Sequence, residues 1–324
     1  MKHRTLIATF GSAEHAFDAA TGLTGHREAL ERAGAAMARA ADVGARLLLE
    51  GDEQWPAPLR DLSDPPPFLF ALGNPAAARE PLVAIVGTRG ASSYGERVTR
   101  EIAGAFARAG VGVVSGLARG IDACAHRAAL AHGGRTVAVL GTGIDVAYPA
   151  AHRALHAEIA RRGLVLSEEL PGDRANGGSF PRRNRIIAAL ALATIVVEAP
   201  ARSGALITAA HALELGRTVA AVPGPIDSPL SAGANELLRD GAHVVASVAD
   251  ALALVGATPP VRTLPDLATA AERAVWKALE SGPAEMDLLA SRAKLPAREC
   301  MAAVTALELA GAVECGLTGE VRRR

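Results

Sequence analysis

The residues best suited to chemistry stand together at Phe180-Pro181-Arg182-Arg183-Asn184-Arg185, just ahead of the apolar Ile186-Ile187. Three guanidinium groups and an amide beside one ring suit an unpaired polynucleotide: the cations neutralise phosphates while Phe180 stacks on a base. Contacts of that kind read no base edges, so the binding would be independent of sequence. The same string also fits a plainer arrangement, in which Phe180 is core and the arginines cap a helix or pair with Glu168 and Glu169. Aromatic residues make up only 3% of the chain, which gives weight to a ring inside a basic cluster.

Four glycine-rich loops follow apolar runs: Gly87-Thr88-Arg89-Gly90-Ala91-Ser92-Ser93, Ser115-Gly116-Leu117-Ala118-Arg119-Gly120-Ile121-Asp122, Gly141-Thr142-Gly143, and Ser203-Gly204-Ala205 beyond Glu198. Glycine lets a backbone approach an anion, and helix N-terminal amides add positive potential. The DNA-contact candidates are therefore Gly87, Thr88, Arg89, Ser115, Gly116, Arg119, Gly120, Ser203 and Gly204, beside Phe180, Arg182, Arg183, Asn184 and Arg185. The alternative is that these glycines only shape tight turns. Glu198 is either a base or a structural carboxylate, and Asp122 either a helix cap or part of a site. His126, His132, His152 and His156 lack the spacing of metal ligands. No GxxxxGK[ST] is present and residues 82–250 hold no lysine, which excludes a P-loop NTPase. Gly141-Thr142-Gly143 lacks the third glycine of a dinucleotide fingerprint. Neither a cofactor nor a metal is expected.

These loops need a frame. Leu82–Val86, Val111–Val114, Thr136–Leu140, Leu164–Leu166, Ile195–Val197, Val219–Val222 and Val244–Val245 are short apolar runs alternating with helical patterns such as Tyr94–Ala109 and Ile121–His132. Strands apolar on both faces and alternating with helices predict a parallel sheet covered on both sides, with ligands beyond the carboxyl ends of its strands. Residues 1–50 read as an alanine-rich helical segment, and the proline-dense stretch 51–81 as an ordered connector. A second linker spans 257–265. Beyond it Ala270–Leu279, Ala284–Ala293 and Ala297–Leu309, then a hairpin over Val313–Val321 turning at Thr318-Gly319, describe a winged-helix module over 266–324.

Of 324 residues 50% are apolar and 21% charged, ample for a core of roughly two domains. Three scattered cysteines, Cys124, Cys300 and Cys315, make no disulfide framework and suggest a reducing cytosol. The longest near-continuous apolar run, Ile186–Val197 with only Thr194 interrupting, falls short of the ~20 residues of a membrane span, so a cytoplasmic protein without membrane attachment is expected. Zero net charge hides 17 basic and 14 acidic residues in 82–250, against 8 and 11 in 1–81. Residues 272–324 hold 8 of each sign, and the helix Ala297–Leu309 sets Arg298 against Glu299 and Glu308, which favours a protein contact over duplex reading.

Residues 55–250 resemble the DNA-processing protein A (DprA/Smf) family. The resemblance rests on Asp64-Pro65-Pro66-Pro67, Val86-Gly87-Thr88-Arg89 with Ser92 and Tyr94-Gly95, and Ser115 to Asp122. It continues through Phe180 to Ile187, Val197-Glu198-Ala199, Arg202-Ser203-Gly204 and Val222-Pro223-Gly224-Pro225. It implies an extended Rossmann-like α/β domain that binds single-stranded DNA without catalysis, protects incoming strands in natural transformation, loads the RecA recombinase onto them, and forms a homodimer. The family's pocket arginine falls on Arg89, its stacking aromatic on Phe180, and its basic run on Arg182, Arg183 and Arg185. The segment after Asp266 resembles the winged-helix tail many members carry. Two departures stand out: residues 1–50 lack the family's helical hairpin motif, and the loop before Phe180 lacks a lysine and a double proline, leaving Arg174 as its basic residue. An enzyme of the phosphoribohydrolase type is the competing class, although its PGGxGT loop is replaced by Arg202-Ser203-Gly204-Ala205-Leu206.

Overall fold

Apolar runs with no polar face must be covered on both sides, and they assemble into one nine-stranded sheet. The computed structural model describes residues 26–175, 177–258, 267–316 and 319–323, in two compact units that divide at Pro260/Val261. The strands of the first unit are β1 (Arg46–Leu49), β2 (Phe68–Gly73), β3 (Leu82–Val86), β4 (Gly112–Ser115), β5 (Thr136–Leu140), β6 (Leu164–Ser167), β7 (Ala193–Val196), β8 (Thr218–Ala221) and β9 (His243–Val244). Their spatial order is β1-β2-β6-β5-β4-β3-β7-β8-β9. Neighbours from β6 through β9 run parallel, while β2 is antiparallel to β6 and β1 to β2.

Described helices of this unit are α1 (His26–Asp42), α2 (Ser93–Arg108), α3 (Ile121–Ala131), α4 (Arg153–Arg162), α5 (Ser179–Leu190), α6 (Gly204–Glu214), α7 (Ala232–Arg239) and α8 (Val248–Ala253). Alternate residues of each strand point to opposite faces. Leu82, Ala84, Val86 and Val196 therefore join Ile186, Ile187 and Ala209 of α5 and α6 in one core. Val83, Ile85, Ile195 and Val197 join Ile102, Phe106, Ile121 and Leu252 in the core on the other face. The expected Rossmann-like α/β architecture is present.

Two expectations need correction. Residues 1–50 are not helical to the end: α1 stops at Asp42 and β1 follows at once, while the expected structure of residues 1–25 lies outside the described residues. Residues 51–81 are more than a connector, because β2 lies inside them. Prolines 65–67 end just before Phe68, so the chain pairs freely from there, with Phe70 opposite Ser167 and Leu72 opposite Val165. Four to six residues bounded by proline carry too little periodicity to announce a strand.

The second unit is a winged-helix domain. Helices α9 (Ala270–Ala278), α10 (Met286–Ala293) and α11 (Ala297–Leu309) stand beside a sheet of order β10 (Ala284–Glu285), β12 (Glu320–Arg323), β11 (Val313–Cys315). Val275, Leu289, Cys300, Val304, Leu307, Val313 and Val321 form its core. The sequence reading ran the second helix from Ala284, whereas Ala284 and Glu285 pair with Val321 and Glu320 as a strand. Thr318 of the expected turn, and most of the second linker, lie outside the described residues.

Candidate nucleic-acid interface

Chain order places the site. From β3 the chain winds outward through β4, β5 and β6, then returns to β7 on the other side of β3 and continues to β8 and β9. Connections leave β3 and β7 in opposite directions, so the loops at their carboxyl ends diverge and open a crevice. Thr88 N donates to Glu198 O at 2.7 Å, tying the floor of this crevice together. Gly87 is required there, since a Cβ would lie 2.5 Å from Ile121 Cγ1 and 2.8 Å from Glu198 O.

Two clefts occupy the crest. One, of about 430 Å³, lies between the loop Gly87–Arg89 and the start of α6, and is lined also by Phe180, Asn184, Arg202, Ser203 and Gly204. The other, of about 560 Å³, lies towards β4 and β5 and is lined by Gly116, Arg119, Thr142, Tyr148 and Arg174. Arg89, Ala118, Phe180 and Arg183 border both. The Arg89 guanidinium sits 5.4 Å from the Phe180 ring centroid, and Tyr148 packs 5.2 Å from that ring at 39°. Phe180 is half-buried, with Gly141 beneath it: a Cβ on Gly141 would stand 2.8 Å from Phe180 Cδ1.

The basic run separates into three fates. Arg185 makes a two-pronged contact with Glu168, at 2.9 and 2.8 Å, and donates to Asp64 O. Arg182 donates to Glu169 Oε1 at 2.5 Å and borders neither cleft. For these two the plainer arrangement holds. Arg183 is only 7% exposed; it donates to Gly116 O at 2.8 Å, and to Val139 O. Its guanidinium occupies the space where a Cβ of Gly116 would be, 2.5 Å from Nη2. Burial draws Arg183 down to about 10, partly offset by Asp122, which leaves it charged at neutral pH. Asp122, fully enclosed, is raised by burial against the pull of Arg183 and of two amides. Those amides are Gly116 N and Ala118 N, at 3.1 and 3.4 Å from Asp122 Oδ2. Asp122 and Arg183 thus clamp the loop of Ser115 to Gly120 from below rather than facing solvent.

The remaining candidates divide likewise. Ser115, with no exposure, donates to Ile85 O at 2.7 Å and holds β4 to β3. Gly120 adopts φ +73°, and a Cβ there would strike Thr88 O at 2.2 Å, so it shapes the turn into α3. Asn184 bridges α5 to α6 by donating to Gly204 O at 3.1 Å, and Ser203 caps α6 through Ala205 N. Glu198 accepts from Ser92 N at 3.0 Å and from Ser92 Oγ at 2.5 Å, which anchors the start of α2.

What remains facing the clefts is cationic. Among the described residues Arg89, Arg119, Arg174 and Arg202 are exposed and none has a carboxylate partner. Sequence reasoning passed over Tyr148 and put Arg202 outside its candidates; the signal for Tyr148 was its rarity as an aromatic, and nothing local tied it to Phe180. Among the described residues there is no group of His, Cys, Asp and Glu able to hold a metal ion, and no helix long and apolar enough to cross a membrane.

Comparison with known proteins agrees with this geometry. The family profile of DNA recombination-mediator protein A matches residues 46–256, and that of the DprA winged helix domain matches residues 257–316. A Mycobacterium tuberculosis relative under the DprA name is 42% identical over 314 residues, covering 90% of this chain and 80% of its own. The solved DNA processing protein A of Streptococcus pneumoniae superposes with a TM-score of 0.62 at 44% identity, over 64% of this chain and 73% of that one. That of Helicobacter pylori, described for its single-stranded DNA binding mode, gives 0.58 at 31% identity, over 63% and 92%. Its sheet, its loops and its winged helix together place this chain in the DNA recombination-mediator protein A (DprA/Smf) family of DNA-processing proteins.

Proposed function

We propose that the chain binds single-stranded DNA without sequence preference, along the crevice at the carboxyl ends of β3, β4 and β7. One observation carries the reading: four arginines without carboxylate partners among the described residues surround two clefts that meet at a half-buried phenylalanine. Arg89, Arg119, Arg174 and Arg202 take phosphates, the amides of Gly87 and Gly204 line the path, and Phe180 stacks a base. No base-edge reader is needed, and no bond is made or broken.

In the cell the chain protects incoming strands and loads the RecA recombinase onto them during transformation, acting as a cytoplasmic homodimer. The likeness to the Helicobacter pylori protein, described for its single-stranded DNA binding mode, supports the strand binding on which these roles rest, and membership of the recombination-mediator family supports the link to recombination. Anisotropy titrations of labelled oligo-dT and of a matched duplex, at several salt concentrations, test the binding. The single strand is expected to bind more tightly, with a log–log salt slope near −3 if all four arginines meet phosphates, at about 0.7 per phosphate. Equal or tighter duplex binding overturns the reading. Recombinase loading is checked by filament growth on a strand coated with single-strand-binding protein, where no acceleration by this chain removes that part.

A further inference from the structure

The second cleft has features that strand binding at Phe180 alone leaves unused. It is the larger of the two at the crest, and its volume of about 560 Å³ lies within the range of small-molecule sites. Tyr148 borders it and leaves the first cleft untouched. Tyr148 is 47% exposed, and its hydroxyl makes no hydrogen bond among the described residues. A large aromatic held in the open, in a chain with only two tyrosines, contributes little to the core. Its surroundings repeat those of Phe180: Arg119 and Arg174 are exposed and unpaired at its rim, and Val146 and Pro149 supply an apolar floor.

Phe180 and Tyr148 stand too close to share one base between them. Their centroids are 5.2 Å apart, whereas a ring sandwiched between two others needs roughly 7 Å, twice the ordinary carbon–carbon contact. The two rings therefore form a continuous step: Phe180 borders both clefts, Tyr148 only the second, and Arg89 and Arg183 stand on the boundary.

We infer that the Tyr148 cleft is a second nucleotide subsite, taking the base adjacent to the one on Phe180, with Tyr148 as its stacking platform and Arg119 and Arg174 on its flanking phosphates. This rests on the single-strand reading above. The strand turns at the Phe180–Tyr148 step, so neighbouring bases leave their mutual stack and enter different clefts. Stacking platforms of this kind accept any base.

The test uses the full chain with oligo-dT carrying 5-iodouracil, cross-linked by light and mapped by mass spectrometry, beside anisotropy titrations. Cross-links are expected at both Phe180 and Tyr148. Tyr148→Leu should lower affinity by roughly tenfold, the order expected for one stacked base, and Tyr148→Phe should restore it. A structural role would instead lower the melting temperature of Tyr148→Leu, so thermal unfolding is followed for each variant; Tyr148→His, polar but planar, retains binding if stacking is the role. Cross-links confined to Phe180, with Tyr148→Leu binding as the parent does, overturn the second subsite and leave the single-strand reading intact. Failure of the parent chain to bind any single strand overturns that reading instead.

Discussion

The guanidinium carbon of Arg89 lies 5.4 Å from the centroid of the Phe180 ring, although the two belong to different βα units. The loop after β3 supplies the cation and the N-terminus of α5 supplies the ring, so the pair exists only once the sheet has closed between them. A cation over an exposed ring is worth about 0.5–1 kcal/mol. A stacked base contributes about 1–3 kcal/mol, and a phosphate offers Arg89 a stronger partner than a ring does. On the proposed reading, a strand would exchange one weak contact for two stronger ones, with Arg89 already held beside the ring in the free protein.

Arg89→Ala is expected to weaken single-strand binding and to reduce the log–log salt slope by about 0.7, the increment of one phosphate. Folding stability should change by less than about 1 kcal/mol, because only the contact with Phe180 is lost. Arg185→Ala should show the reverse pattern, since its guanidinium is held by Glu168 and Asp64. Titration at four salt concentrations separates them; equal slopes for Arg89→Ala and the parent reject the assignment.

Arg183 behaves as a structural cation. Arg183→Met removes the cation that opposes the upward shift of Asp122 and leaves the buried Gly116 O and Val139 O without its donors, at a cost of about 1–3 kcal/mol. Replacing both residues, as in Asp122→Leu with Arg183→Met, should cost less than the sum of the single changes. Urea denaturation of the three variants measures this coupling, and strict additivity would disprove the clamp.

Two glycines in neighbouring loops make a controlled comparison. Gly116→Ala puts a methyl 2.5 Å from Arg183 Nη2 and 2.7 Å from its Cζ, within a guanidinium fixed by two carbonyls. Loss of about 1–3 kcal/mol, the usual cost of overpacking, is expected together with weaker strand binding. Gly90→Ala meets nothing within 4 Å and should alter neither. Thermal melts and the same titrations decide; indistinguishable melting of the two would mean the loop yields freely.

His126 sets an acid limit on stability. Its imidazole is fully buried, with Nδ1 2.7 Å from Thr136 Oγ1, and Nε2 has no partner. The Thr136 hydroxyl donates to Val113 O at 3.2 Å, so Nδ1 carries the proton and the ring is neutral. Burial, and next the nearby Arg183, pull its pKa down from 6.5 to about 3. The unfolded chain then binds the extra proton below pH 6.5, and stability falls as pH falls from there towards 3. One such group accounts for about 2 kcal/mol between pH 8 and pH 5. In His126→Asn this part of the slope should vanish, as urea unfolding across that range will report; an unaltered slope assigns the acid sensitivity elsewhere.

The parallel core was legible because a strand covered on both faces must be apolar throughout, and glycine-rich loops mark the ends of such strands in any order of pairing. Leu82–Val86 and Thr136–Leu140 appear in the structure with the boundaries their composition implies. Strands β1 and β2 were hidden, since both are short: β2 follows three prolines and is defined by pairing with β6, which is distant in the chain, and β1 is defined only by pairing with β2.

The site divides along the same line. Residue type alone marked Phe180 and Arg89 as a platform and a cation, because few other side chains can stack or neutralise. Which arginines are free to act was decided only by the tertiary structure: Glu168 and Glu169 claim Arg185 and Arg182, burial claims Arg183, and Arg174 and Arg202 are left facing the clefts. A guanidinium's charge is written in the sequence, but its availability depends on which carboxylates, carbonyls and solvent the fold brings within a few ångströms.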